Sequence, residues 1–223
     1  MLVLRRSHWA GLSLCVVTLM AACVARHAEA PVVEALSSTQ RVGGEQLRPV
    51  ADFDAIADRN ARSVALFGEA SRVIQSPRCL NCHPVDRIPT QGEDLHPHVP
   101  PMQAGDAGHG PAGMVCSTCH QSDTVVTHTT SIASIPGHSH WALAPASMAW
   151  QGKSAAAICR QIKDPARNGG RTLDQIHEHM ASDTLVGWAW HPGAGRRPAP
   201  GTQQRFGAIV AAWIDTGAAC PVD

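Results

Sequence analysis

Arg78-Cys79-Leu80-Asn81-Cys82-His83-Pro84 and, further along, Cys116-Ser117-Thr118-Cys119-His120 decide how this chain is read. Each contains C-x-x-C-H, the covalent attachment pattern of a c-type haem. Two thiols three positions apart on one turn can each form a thioether to a vinyl group of one porphyrin. The His that follows then offers its imidazole to the iron as proximal ligand. With eight Cys and thirteen His in 223 residues, chance supplies about 0.02 such matches. Two matches therefore point to two haem c cofactors, with Cys79, Cys82, Cys116 and Cys119 as thioether positions and His83 and His120 as proximal ligands.

Two other chemistries use paired C-x-x-C. A redox dithiol belongs in a βαβ setting and needs no following His. A structural zinc can take two such pairs, but this leaves unexplained the His after both second cysteines.

Working outward, Met1 to Ala22 reads as an export signal, with Arg5 and Arg6 ahead of an apolar run, Ala10 to Ala22, that is short for a membrane span. Leu19-Met20-Ala21-Ala22-Cys23 resembles a bacterial lipobox, which makes Cys23 the candidate for acylation. Cleavage after Ala28 or Ala30 is the alternative, although Pro31 hinders the latter. The expectation is a periplasmic protein, free or lipid-anchored, with 23–49 as a flexible tether and 50–223 as the dihaem domain. Haem attachment outside the cytoplasm agrees with export.

Removing residues 1–22 takes away two Arg and no acid, leaving 16 basic and 18 acidic side chains, a net of −2. No basic stripe is present to neutralise phosphates, so nucleic acid is not an expected partner. Lys153 and Lys163 are the only lysines, so a Lys-rich docking ring is excluded.

Aromatic content is 4%, with no Tyr and three Phe, little apolar bulk for a chain of this length. Two porphyrins would supply the missing interior. The fold expected is mainly α: short helices with long loops that wrap the haems. Helical periodicity appears over Asp52–Gln75, ended by Pro77; over Lys153–Lys163; over Leu173–Ala181 behind the Asn168-Gly169-Gly170 turn and a Thr172 cap; and over Gln203–Thr216. A short strand fits Asp123–Thr129, and Leu185–Pro200 reads as loop.

The 32 residues between His83 and Cys116 hold six Pro and five Gly and show no period. A loop this long usually binds something, and it carries His96, His98, Met102, His109 and Met114 as possible sixth ligands. Pro97 holds His96 and His98 together. Elsewhere Met148, between Trp141 and Trp150, is either a thioether ligand or a core filler. His177 shares the apolar face of its helix, His179 faces another way, and His140 is a further candidate. The order of preference is His98 and His96, then His179 and Met148, then His140.

Cys159 and Cys220 remain, and in an oxidising compartment two spare thiols pair.

The first motif with its flanks, His96-Pro97-His98, the second motif, Leu143–Trp150, Ile158–Gly170 and Trp213–Pro221 together resemble the dihaem cytochromes c that accompany isoquinoline 1-oxidoreductase-type molybdenum hydroxylases of the xanthine dehydrogenase family. The likeness covers roughly residues 72–222. It implies a protein that is not itself an enzyme. Its electron donor would be a molybdenum hydroxylase with an iron–sulfur subunit, and its acceptor the respiratory chain. It also favours His179-Met180 over His177. The alternative of another class is a haem enzyme, such as a dihaem peroxidase, with one open iron position; the chain offers no evident acid–base pair for it.

Overall fold

The computed structural model describes residues 45–105, 107–129 and 132–223. The export signal, Cys23 and most of the expected tether lie outside the described residues. Those described form a mainly α structure: α1 (Arg59–Ile74), α2 (Pro77–Leu80), α3 (Ala155–Lys163), α4 (Leu173–Ser182), α5 (Thr184–Gly187) and α6 (Gln203–Asp215), with two antiparallel two-stranded ribbons. The ribbons pair β1 (Thr90–Gln91) with β2 (His96–Pro97) and β3 (Val125–Val126) with β4 (Ser134–Ile135).

The core is a helical one. α1 and α4 both pack along α6, bringing Phe67 within 5.1 Å of Trp213, ring centre to ring centre. Ser63, wholly buried, donates to the Trp213 carbonyl and accepts from Ala219 N, so a polar side chain locks α1 to the end of α6 with its hydroxyl satisfied. Gly207 lets α4 and α6 touch, since a Cβ there would lie 2.6 Å from that of Ala181.

Local sequence explains the helix ends. Asp58, Ser154, Thr172 and Thr202 each accept a backbone N–H of the first turn of the helix they open, and Thr172 with Gln175 forms a full capping box. Asn168, 2% exposed, spans the α3–α4 turn by bonding Ile162 O, Arg171 O and Arg171 N.

Several boundaries differ from the periodicity. The first helix does not start at Asp52: Val50–Phe53 is a 3-10 turn, and the α-helix begins only after Asp58 supplies a cap. Pro77 both follows the end of α1 and opens α2, its fixed φ and missing N–H suiting a first helical position. The stretch expected as loop at Leu185–Pro200 holds α5 and a 3-10 turn, Trp188–Trp190, because Asp183 accepts from Leu185 N and Val186 N. The patternless segment after His83 contains β1 and β2, and the strand at Asp123–Thr129 shrinks to two residues.

One division organises the molecule. Apart from Pro84 and Ala104, every buried apolar residue among those described comes from 47–74 or 148–218. Seven large apolar side chains between Val85 and Ile132 are instead exposed, Val85 and Val126 by 65% each. The segment carrying both C-x-x-C-H motifs has almost no apolar core of its own.

Candidate haem centres

The first motif is built by a helix start. Ser76 and Pro77 set α2, and the turn continues through Cys82 N to Cys79 O at 3.1 Å and His83 N to Leu80 O at 3.1 Å. Cys79, Cys82 and His83 thus share one helical path. His83 donates Nδ1–H to the carbonyl of Met148 at 2.7 Å, which leaves Nε2 as the atom able to bind a metal. The ring lies flat on Trp150, with centres 3.5 Å apart and planes 6° from parallel. Trp150 N returns a bond to His83 O at 2.9 Å, and Gln151 reaches Leu80 O and Thr90 Oγ1.

The second motif repeats this with other parts. Cys119 N and His120 N both bond to Cys116 O. His120 donates Nδ1–H to the Pro136 carbonyl at 2.7 Å and stacks on Trp141, centres 4.5 Å apart and 10° from parallel. Trp188 meets Trp141 edge-on at 5.0 Å. Arg196 holds the carbonyl-bearing segment in place, donating to the Ser134 hydroxyl at 2.6 Å and to the Ser134 carbonyl.

Burial pushes the His83 imidazole down to about 4, although its bond to the Met148 carbonyl opposes this, and burial also lowers His120. Both rings are therefore neutral at pH 7, the state a metal ligand needs. Burial raises the Cys79 thiol to about 12 and Cys82 to about 11, with Cys116 close enough to add to the latter. The four motif cysteines are unpaired. No group of three or more His, Cys, Asp or Glu side chains has the spacing of a metal cage among the described residues.

The structure places the other candidate ligands unequally. His98 donates Nδ1–H to the Pro100 carbonyl at 2.8 Å, and its ring centre is 5.9 Å from that of His120. His96 is more exposed and bonds Asp94 at 2.6 Å, whose carboxyl it holds below the ordinary range. His179 bonds Asp183 at 3.2 Å and is near enough to His83 to help lower its pKa. His140 is exposed, its backbone N–H bonded to His138. Met148 is 7% exposed and offers its carbonyl to the Nδ1 edge of His83. His177 is half-buried beside Ile176.

A cavity of about 630 Å³ opens beside His98, walled by Val85, Ile88, Pro97, Pro101 and Met102. Several buried donors have no protein acceptor: Trp150 Nε1, Trp188 Nε1, Arg78 Nε and Arg87 Nε. Trp141 and Trp150 are the partners that sequence reasoning passed over. Their signal was available: only six Trp occur, and these two bracket the segment that returns to the motifs.

The spare cysteines are joined. Cys159 and Cys220 form a disulfide with Cα atoms 5.6 Å apart, fixing the chain end to α3. No family model matches this chain, and neither the curated proteins nor the solved structures yield a match.

Proposed function

We propose that this is an exported dihaem c-type cytochrome, an electron carrier between a molybdenum hydroxylase with an iron–sulfur subunit and the respiratory chain. The observation that carries the haem reading is the duplicated arrangement at the motifs. In each, the His after C-x-x-C gives Nδ1–H to a backbone carbonyl, lies flat on an indole and keeps Nε2 free. A carbonyl partner that fixes tautomer and ring direction is what a metal-ligating His ordinarily has. A plain surface His has no need of it.

The surrounding residues fit the group. Among the described residues from 75 to 147 the buried apolar side chains are Pro84 and Ala104 alone, so a large flat apolar group would complete that half of the fold. The partnerless donors of Trp150, Arg78 and Arg87 suit acidic groups such as porphyrin propionates. Bound c-type haem supplies a one-electron iron couple, tuned by axial ligands and burial. The chain's own contribution is to present neutral imidazoles, hold them rigidly and shield them from water. The molybdenum hydroxylase as donor, the respiratory chain as acceptor and the periplasmic location, with or without a lipid on Cys23, rest on the resemblance and the leader.

Expression with intact haem-attachment machinery tests the reading. Mass spectrometry is expected to show two porphyrin masses on the polypeptide, and haem staining is expected to survive a denaturing gel. Reduced protein is expected to leave added carbon monoxide unbound. Fast binding at one haem turns the reading to a haem enzyme, and no gain in mass ends it.

A further inference from the structure

We propose that His98 is the sixth ligand of the iron held by His120, so that this centre has two histidines. The inference rests on the reading of Cys116–His120 as a haem site. Its ground is the pairing of the two rings. Their centres are 5.9 Å apart and their planes 57° from parallel. One metal between two imidazoles, bonded to a nitrogen of each at about 2 Å, separates the ring centres by about 6 Å. Both rings also share one division of labour. His98 commits Nδ1 to the Pro100 carbonyl, as His120 commits its own to Pro136. Nε2 is left for coordination in each.

His98 is carried on a braced support. Its backbone N–H bonds Pro89 O at 3.0 Å, and Val99 N bonds the Gln91 side chain at 3.2 Å. Just before it, β2 pairs with β1. That ribbon is fastened in turn to the first motif, where Thr90 Oγ1 donates to Asn81 Oδ1 at 2.7 Å. The ribbon seated on the first haem motif thus delivers a ligand to the second. None of the rivals on the same loop is placed so. His96 faces solvent with Asp94, His109 and Met114 are exposed, and Met102 lines the cavity wall. Two imidazoles in place of one imidazole and one thioether lower the reduction potential of a centre.

The test uses the haem-loaded full-length chain. His98→Ala is expected to convert half of the total haem from low-spin to high-spin by absorption and electron paramagnetic resonance. The same half is expected to bind carbon monoxide when reduced, and added imidazole to restore the low-spin spectrum. His96→Ala and Met102→Ala are expected to leave both haems low-spin. A chain with Cys79→Ser and Cys82→Ser keeps only the porphyrin at Cys116 and Cys119, and there His98→Ala is expected to convert all remaining haem. If His98→Ala accumulates poorly, His98→Met keeps six ligands and introduces the far-red absorption of thioether ligation. The assignment is overturned by unchanged low-spin haem in either His98→Ala background, by loss of the ligand in Met102→Ala, or by absence of the far-red band in His98→Met. A chain that carries two porphyrins with these results loses only the ligand assignment; a chain that carries none loses the electron-carrier reading with it.

Discussion

The carbonyl of Met148 and the Nδ1 of His83, 65 residues apart in sequence, meet at 2.7 Å. That bond places the first motif against the helical core, because Met148 and Trp150 are both buried there. The second motif has a carbonyl and an indole of its own, but around it the protein is half open: Trp141 is only partly buried. Two centres built on one plan thus differ in burial, and burial is one of the levers that sets a haem potential.

This difference predicts unequal responses to losing the indoles. Trp150, 5% exposed, lies on the His83 ring and fills the core, so Trp150→Leu should lower stability by about 2–4 kcal/mol. On the proposed dihaem reading it should also shift one of the two midpoint potentials, since the His83 ring loses its stacked partner. Trp141→Leu should cost about 1 kcal/mol and move the other potential. Guanidinium unfolding and a spectroelectrochemical titration of the loaded protein read both effects. Two unmoved potentials in Trp150→Leu would remove the stacked indole from any tuning role.

How much of this could be read from the sequence varies with the kind of signal. The motifs, the cap at Thr172, the last three long helices and the Cys159–Cys220 pairing follow from side-chain identity, spacing and parity, which the sequence prints directly. The carbonyls of Met148 and Pro136 do not, because every residue has a carbonyl and only the fold decides which one meets an imidazole. The start of α1 was misplaced for a related reason. Phe53 and Ile56 continue its apolar period, yet Phe53 reaches the core from a 3-10 turn, and periodicity does not distinguish the two paths. The ribbon that carries His98 has two residues per strand, too few for any alternation to show.

An ion pair beside the first motif yields a second expectation. Arg78, 3% exposed in its side chain, meets Glu93 at 2.7 Å, while Arg197 meets the same carboxylate from solvent at 3.1 Å. Burial lowers the pKa of Arg78 and the charge of Glu93 opposes that. Glu93→Gln leaves a buried guanidinium without its counter-charge. Since Glu93 is itself 39% exposed, the loss should be about 1–3 kcal/mol, below that of a fully buried pair. Arg197→Ala, exposed, should change stability by less than about 0.5 kcal/mol. Equal losses from the two substitutions in chemical unfolding would contradict this ordering.

The chain end should show a pH signature. Asp223 accepts from Ser154 at 2.5 Å and pairs with Arg160 at 2.5 Å; the serine bond first, then the arginine, lower its pKa. A carboxyl whose folded pKa lies below its unfolded one contributes stability above the ordinary carboxylate range, near pH 4, and loses it as pH falls through the lowered value. Asp223→Asn should therefore melt slightly below the parent at pH 7, and the two curves should converge in stronger acid. Added salt should narrow the gap as well, because the pair is exposed. A gap that persists undiminished in strong acid would mean that packing, and not charge, accounts for the effect.

Just before that pair, the disulfide fastens the same end to α3, and here the expected loss is larger. Cys159 and Cys220 are 61 residues apart, and closing a loop of that length restricts the unfolded chain by about 4 kcal/mol on the entropic account. Native contacts survive its removal, since Lys163 Nζ still reaches Ala218 O at 2.6 Å and Trp213 Nε1 reaches Ala219 O at 2.9 Å. Cys159→Ala with Cys220→Ala should consequently fold, and unfold at lower guanidinium with a loss of about 3–4 kcal/mol. Haem attachment should not mask the effect, because Cys79, Cys82, Cys116 and Cys119 all lie outside the closed loop and their thioethers leave its length unchanged. Thiol titration of the loaded protein in denaturant provides the independent check. No cysteine between residues 45 and 223 should react until a reductant is added, and then two should.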